Sequence, residues 1–128
     1  MRLSEYFENA KGTGVLATAG TDGKVNVAVY ARPHFLDSND DETIAFIMAD
    51  RLCHANVQAN PYAAYLFVEE GEGYSGKRLT LRKIKEENDS ARIQSVRRRR
   101  LPCECEEDTT RFLVFFHVDC VRPLIGTD

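Results

Sequence analysis

No apolar run in this 128-residue chain approaches the length of a membrane span, so no membrane partner is expected. The opening Met1-Arg-Leu-Ser-Glu-Tyr6 lacks the apolar core of a signal peptide, and the expectation is a cytoplasmic protein. Basic charge is not in excess. Seventeen Lys and Arg against twenty Asp and Glu give a formal net charge of −3, which argues against a general nucleic-acid binder. The four cysteines, Cys53, Cys103, Cys105 and Cys120, form no recognisable disulfide framework and are expected as reduced thiols. Cys103-Glu-Cys105, with His117 and Cys120 downstream, offers ligand types that suit zinc. The C-x-C spacing is not the usual C-x-x-C, however, and the segment is acidic, so no metal is expected. The glycine-rich stretch Glu70-Gly-Glu-Gly-Tyr-Ser-Gly76 opens no helix and is not read as a nucleotide loop. No side chain stands out as a dedicated acid or base.

What remains is ordinary globular material. The hydrophobic fraction is 43% and the charged fraction 29%, and the length suits one domain over 1–128 with a core of its own. Leu3, Tyr6, Phe7 and Ala10 follow helical spacing, with Ser4 as a possible cap. Val15–Ala19 and Val25–Ala31 read as strands joined by the turn Gly20-Thr-Asp-Gly-Lys24, a β-hairpin. In the second of these, Val25, Val27, Val29 and Ala31 alternate with Asn26, Ala28, Tyr30 and Arg32, a period of two. Further strands are expected at Thr43–Ala49, Tyr62–Glu69, Lys77–Glu86 and Phe112–Val118. Tyr62–Glu69 is apolar on both faces and so central. Asp89-Ser90 can cap a helix with Ile93 and Val96 inward. That helix runs into Arg97–Arg100, followed by Glu104, Glu106, Glu107 and Asp108, a self-compensating surface rather than a nucleic-acid patch. Phe112–Val118 is apolar on both faces as well. One face meets the core, and the other needs a helix or a second subunit. The expected fold is therefore mainly β: six strands, mostly antiparallel, with three short helices, able to close into a small barrel.

The stretch Phe46–Pro61 concentrates the functional signals. The strand ends at Ala49, Asp50 stands where a helix N-cap belongs, and a short helix follows with Leu52, Ala55 and Ala59 on one side. Asn60-Pro61 stops it. A strand running into a helix start leaves free N–H donors and a partial positive charge, a place for a phosphate, with Arg51 and His54 in reach. The plain alternative is a strand–turn–helix connection with a solvated arginine.

Four runs and their order carry a family resemblance. They are Gly14-Val-Leu-Ala-Thr-Ala19, Gly23-Lys-Val-Asn-Val-Ala-Val-Tyr-Ala-Arg-Pro33, Thr43-Ile-Ala-Phe-Ile-Met-Ala49, and His54-Ala-Asn-Val-Gln-Ala-Asn-Pro61 with Tyr65-Leu-Phe67. Together they resemble the pyridoxamine 5′-phosphate oxidase-like flavin-binding proteins, over nearly the whole chain. The resemblance implies an FMN-binding split β-barrel and a homodimer with FMN at the subunit interface. It implies that Ala28, Val29, Tyr30 and Ala31 lie along the isoalloxazine ring, that Met48 and Ala49 close the site, and that Arg51, Leu52, Cys53 and His54 form the phosphate end. Family members often carry Lys, Arg, Ser or Thr where this chain has Leu52 and Cys53. Arg51, His54 and the helix N–H groups then have to hold the phosphate, with Arg32 in reserve. The chain also stops at Asp128, soon after the last strand, without the basic C-terminal segment of the true oxidases, so that activity is not expected.

The implied function is an FMN-binding flavoprotein and oxidoreductase with a small-molecule redox partner. The alternative is a non-catalytic module of the same fold that holds a flavin or a haem, for which His34, His54 and His117 are the only histidines. Three side chains keep more than one reading. His54 is a proton donor, a phosphate ligand, or a helix-capping or exposed histidine, Tyr30 stacks on the ring or packs in the core or an interface, and Cys53 is a low-pKa thiol or a small buried residue.

Overall fold

The computed structural model describes residues 2–37, 39–96 and 111–126. The elements run α1 (Leu3–Asn9), β1 (Gly12–Ala19), β2 (Val25–Val29), β3 (Thr43–Ala49), α2 (Leu52–Ala59), β4 (Tyr62–Glu69), β5 (Gly76–Glu87), α3 (Ser90–Val96) and β6 (Arg111–Pro123). The six strands form one antiparallel sheet in the order β2-β1-β4-β5-β6-β3, curled into a half-barrel. This is the mainly β split barrel expected from the sequence. Among the described residues no helix is long and apolar enough to cross a membrane.

The β1–β2 hairpin turns at Gly23, whose φ of 82° lies in the left-handed region. The ladder pairs Val15 with Val29, Ala17 with Val27 and Ala19 with Val25. Partners share a face, so this alternation sends Val25, Val27 and Val29 outward and leaves Ala28 and Tyr30 against the core. The same parity on the other strands turns Tyr65 and Phe67, Leu79 and Leu81, Ile44, Phe46 and Met48, and Val114, Phe116 and Val118 into one core. Each large side chain so buried contributes about 1.5–3 kcal/mol. Helix α1 plugs one end of the half-barrel with Phe7, fully buried and ringed by Tyr6, Phe35, Tyr65 and Phe67 at centroid distances of 5.0–6.3 Å.

Two distant side chains hold α1. The Asp41 carboxylate accepts the Leu3 and Ser4 backbone N–H groups at 2.6 and 2.8 Å. Burial works against that charge, but the two amides outweigh it and hold the carboxyl below its usual range. At the other end the Arg32 guanidinium donates to the Phe7 and Ala10 carbonyls, each at 2.8 Å.

The outer face of β6 is covered within the chain. Ile93 of α3 packs with Ala45, Leu113 and Phe115, with Leu36, Ile47 and Val96 at the margin. Of the two covers the sequence allows, the helix takes this face. Asp89 starts α3 as expected, accepting the Ala91 and Arg92 N–H groups at 3.0 and 3.3 Å. Strand β6 runs on to Pro123, and its pairing with β5 shifts register at Thr80/Leu81 and again at Lys83/Lys85. Arg97–Arg100, Cys103 and Cys105 lie outside the described residues.

Candidate functional site

The barrel is split because the end strands of the ladder, β2 and β3, do not pair. Strand β2 was expected to reach Ala31 but stops at Val29. The last bond to β1 is Tyr30 N–H to the Gly14 carbonyl at 2.9 Å, and beyond it the backbone peels away. Tyr65, 1% exposed, holds the exit, its hydroxyl facing the Tyr30 carbonyl at 3.2 Å and the Ala31 carbonyl at 3.1 Å. Gly14 leaves room for this anchor, since a Cβ there would fall 1.8 Å from the Tyr65 oxygen.

Over the split opens a cleft of about 790 Å³, walled by Gly14, Val29, Tyr30, Ala31, Ile47 and Arg111 among others. Three of the sequence-expected ring residues, Val29, Tyr30 and Ala31, are therefore brought together at its edge. Ala28 and Met48 are not. Their side chains belong to the core, Met48 fully buried, and only their backbones remain for a ligand. Ala49 ends β3 opposite Arg111. The Tyr30 ring packs edge-on to Phe46 at 5.9 Å, the core placement of its two readings. Its hydroxyl is pushed up to about 12, first by burial and next by the Cys53 thiol, with Arg51 opposing. It keeps its proton at neutral pH; Tyr30 lines the cleft, whereas Ala49, Arg51, Leu52, Cys53 and His54 are not among the residues that wall it.

At that start the N-cap is Arg51, in extended backbone (φ −135°, ψ −168°), and not Asp50 as the sequence suggested. No side chain caps the helix. The first amides of α2 are thus unclaimed by any cap, and Arg51 is exposed. Leu52, Ala55 and Ala59 do share a side, but it is the exposed one. The buried side carries Cys53, His54, Asn56 and Val57. Cys53 is buried and its sulfur accepts from Asn26 Nδ2 at 3.2 Å. Asn56 donates to Thr18 Oγ1 at 3.0 Å, tying α2 to β1.

His54 is 5% exposed and stacks on Phe112 at 3.9 Å with planes 6° apart. Its Nε2 lies 3.1 Å from Glu86 Oε1 and its Nδ1 lies 3.8 Å from Asp50 Oδ1. Lys83 Nζ closes the cluster, 2.7 Å from Glu86 and 2.9 Å from the Gln58 side-chain oxygen. The ring nitrogens are turned toward carboxylates. Arg32, the reserve phosphate residue, is engaged with the α1 carbonyls.

Apart from Thr13 at one end of β1, the outer face of β2-β1-β4 is apolar. Val25, Val27 and Val29 stand beside Val15 and Ala17, and these beside Ala64 and Leu66, in direct register. The three β2 valines are 62–74% exposed. This face adjoins the cleft through Val29.

No protein-family model matches this sequence, and no curated protein sequence matches it. Solved structures do. An FMN-binding protein from Syntrophomonas wolfei subsp. wolfei superposes with a TM-score of 0.78 at 12% identity, covering 99% of this chain and 86% of that one. An F420 reductase gives 0.70 at 16% identity, covering 92% and 94%. A candidate pyridoxamine 5′-phosphate oxidase from Listeria innocua gives 0.64 at 16% identity, covering 95% and 94%. At identities of 12–16% the likeness carries architecture alone, and it carries that over nearly the whole chain: this protein has the split-barrel fold of those structures.

Proposed function

We propose that this protein is a homodimeric, FMN-binding flavoprotein that works as an oxidoreductase. The observation that carries the reading is the split itself. Val29-Tyr30-Ala31 presents a backbone edge to a cleft of about 790 Å³, in the size range of small-molecule sites. The fold is shared with proteins described as binding FMN and as an F420 reductase.

The residues fit a flavin phosphate at one place. Helix α2 begins without a side-chain cap, so its first N–H groups and its partial positive charge are available. Arg51 stands at that point, exposed, and among the described residues it makes no ion pair. Its guanidinium can take two phosphate oxygens at once. Leu52 and Cys53 contribute backbone donors only, and Ala49 closes the end of β3. The backbones of Ala28 and Met48 and the edge from Val29 to Ala31 orient the ring. Tyr30 keeps a proton at the junction of ring and phosphate ends. Bound FMN supplies the redox chemistry, accepting and passing on a hydride or single electrons. The outer face of β2-β1-β4 seats a second copy, which covers the cleft and excludes water from it.

A second reading, binding without turnover, is favoured by one observation. His54, the proton donor suggested by the sequence, is turned into the Glu86–Asp50 cluster.

The test compares FMN with riboflavin, which lacks the phosphate. Arg51→Ala should weaken FMN by about ten- to a hundred-fold and leave riboflavin nearly unchanged, read by flavin fluorescence. Equal losses for both ligands would make Arg51 a pocket-shaping residue, and no loss for either would place the site elsewhere.

A further inference from the structure

The connection from β4 to β5, residues 70–75, starts in the wall of the cleft. Glu70 lines the cleft, and its backbone N–H donates to the carbonyl of Lys11, another lining residue, at 2.9 Å. The base of the connection is closed. Glu69 N–H donates to the Ser75 carbonyl at 2.9 Å. Gly76 lies so close to β4 that a Cβ there would fall 1.9 Å from the Phe67 carbonyl oxygen.

Above that base nothing holds the chain. Among the described residues Gly71, Glu72, Gly73 and Tyr74 make no hydrogen bond, ion pair or ring contact. Gly71 and Gly73 have φ of 116° and 90°, and a Cβ at either would meet nothing within 4 Å. Glycine crosses between positive and negative φ at little cost, so this turn can swing about its fixed ends and breaks no contact in doing so. At its tip stands Tyr74, 79% exposed, the most exposed large hydrophobic side chain of the described residues. A single exposed tyrosine needs no explanation by itself. This one is carried on a free turn rooted in a ligand-sized cleft. Four residues at up to about 3.5 Å each keep the tip within about 14 Å of Glu70.

Charge favours a closed position. The turn brings Glu70 and Glu72, and the cleft is lined by Lys11 and Arg111. Their attraction counts for little across solvent and for more once a ligand has displaced the water.

We infer that the 70–75 turn is a lid that closes over the occupied cleft and lays the Tyr74 ring on a planar ligand held there. The inference rests on the flavin reading of the cleft and adds a cover of its own. The lid reaches the cleft at the Gly12 end of β1, whereas the second copy is proposed to meet it at the Val15–Val29 pair.

The probe is riboflavin, with the full-length protein. Stacking by one aromatic ring should slow its release, so Tyr74→Ala should raise the dissociation rate by about two- to ten-fold. The association rate and the urea midpoint should stay as in the wild type, because the ring touches nothing in the free protein. The chain has no tryptophan, so Tyr74→Trp places a single indole at the tip. Acrylamide should shorten its fluorescence lifetime freely in the free protein and much less once riboflavin saturates the cleft. Riboflavin bound with the indole as accessible as before, or released equally fast from the wild type and Tyr74→Ala, would overturn the lid and leave the flavin reading standing. A protein that binds no riboflavin would overturn both.

Discussion

Gly14→Ala should be among the most damaging single-methyl additions this protein can receive. An ideal Cβ at position 14 falls 1.8 Å from the Tyr65 hydroxyl oxygen, 2.4 Å from the ring carbon that bears it and 2.7 Å from the Tyr30 carbonyl. Contacts under 3.0 Å essentially do not occur, so something must move. Tyr65 has little room, at 1% exposure with Phe46 and Phe7 at 5.0 and 6.2 Å. Forcing it aside costs about 1–3 kcal/mol of overpacking. Its hydroxyl also leaves the Tyr30 and Ala31 carbonyls, worth about another 1 kcal/mol. The sum, about 2–4 kcal/mol, is a large part of a typical domain stability of about 5–15 kcal/mol. Tyr65→Phe alone should cost about 1 kcal/mol. In the pair of substitutions the nearest clashing atom is gone, so the combined loss should fall short of the sum by about 1 kcal/mol. Urea unfolding of the wild type, both single variants and the pair gives the cycle. Riboflavin affinity should fall in both single variants, because the strand exit at Tyr30 and Ala31 loosens. Strict additivity, or a Gly14→Ala variant as stable as the wild type, would refute the idea that Tyr65 anchors this edge through the space Gly14 leaves.

Val27→Glu puts a charge in the middle of the outer β2-β1-β4 face, where Val27 is 62% exposed; sedimentation should show a folded monomer in place of the dimer proposed for the wild type, with flavin affinity lost, and a monomeric wild type at micromolar concentration would remove the proposed interface. Ile93→Ala should cost about 2–4 kcal/mol by urea unfolding, since Ile93 is the buried residue by which α3 covers β6; a neutral result would mean that the cover rests on other contacts. Glu86 gives a pH signature. Burial pushes its carboxyl up, but the Lys83 and His54 hydrogen bonds outweigh that and hold it below the ordinary value of 4.5. Its contribution to stability is therefore full above that value and fades as pH falls through the lower folded value. Glu86→Gln should lower the urea midpoint at neutral pH, and the gap to wild type should narrow as pH falls from about 6 to about 3; a gap independent of pH would contradict this.

Strand parity made much of the fold legible. The alternation from Val25 to Ala31 announces a strand with one wet face, and Asp89 announces the start of α3. The double-sided Phe112–Val118 run demands two covers, yet nothing in that run says which element supplies the second. That was decided by where α3 lands, a matter of tertiary packing. Around α2 the sequence misleads for a related reason. Ala55 and Ala59 are small enough for either side of a helix, so their spacing with Leu52 did not reveal that this side is exposed, and the buried side instead spends a histidine and an asparagine on specific partners. Asp50 looks like a cap because caps are chosen by residue type, but the chain turns one residue later, at Arg51. Three site features depend on distant pairing and leave no local trace: Tyr65 meeting the Tyr30 carbonyl, Arg32 reaching back to α1, and Arg111 arriving beside Ala49. The order of the strands around the split was not read from the sequence, because it is set by pairing between strands far apart in the chain.

Because α3 covers the outer side of β3 and β6 from within the chain, the described residues leave one uncovered apolar face on the sheet, that of β2-β1-β4. If that face pairs with its own copy about a two-fold axis, the association uses it up on both subunits. A third copy finds no complementary surface, and growth into a fibre or an open array is closed off by geometry. The short helix after β5 would then act as a terminator of assembly as well as a lid on a core.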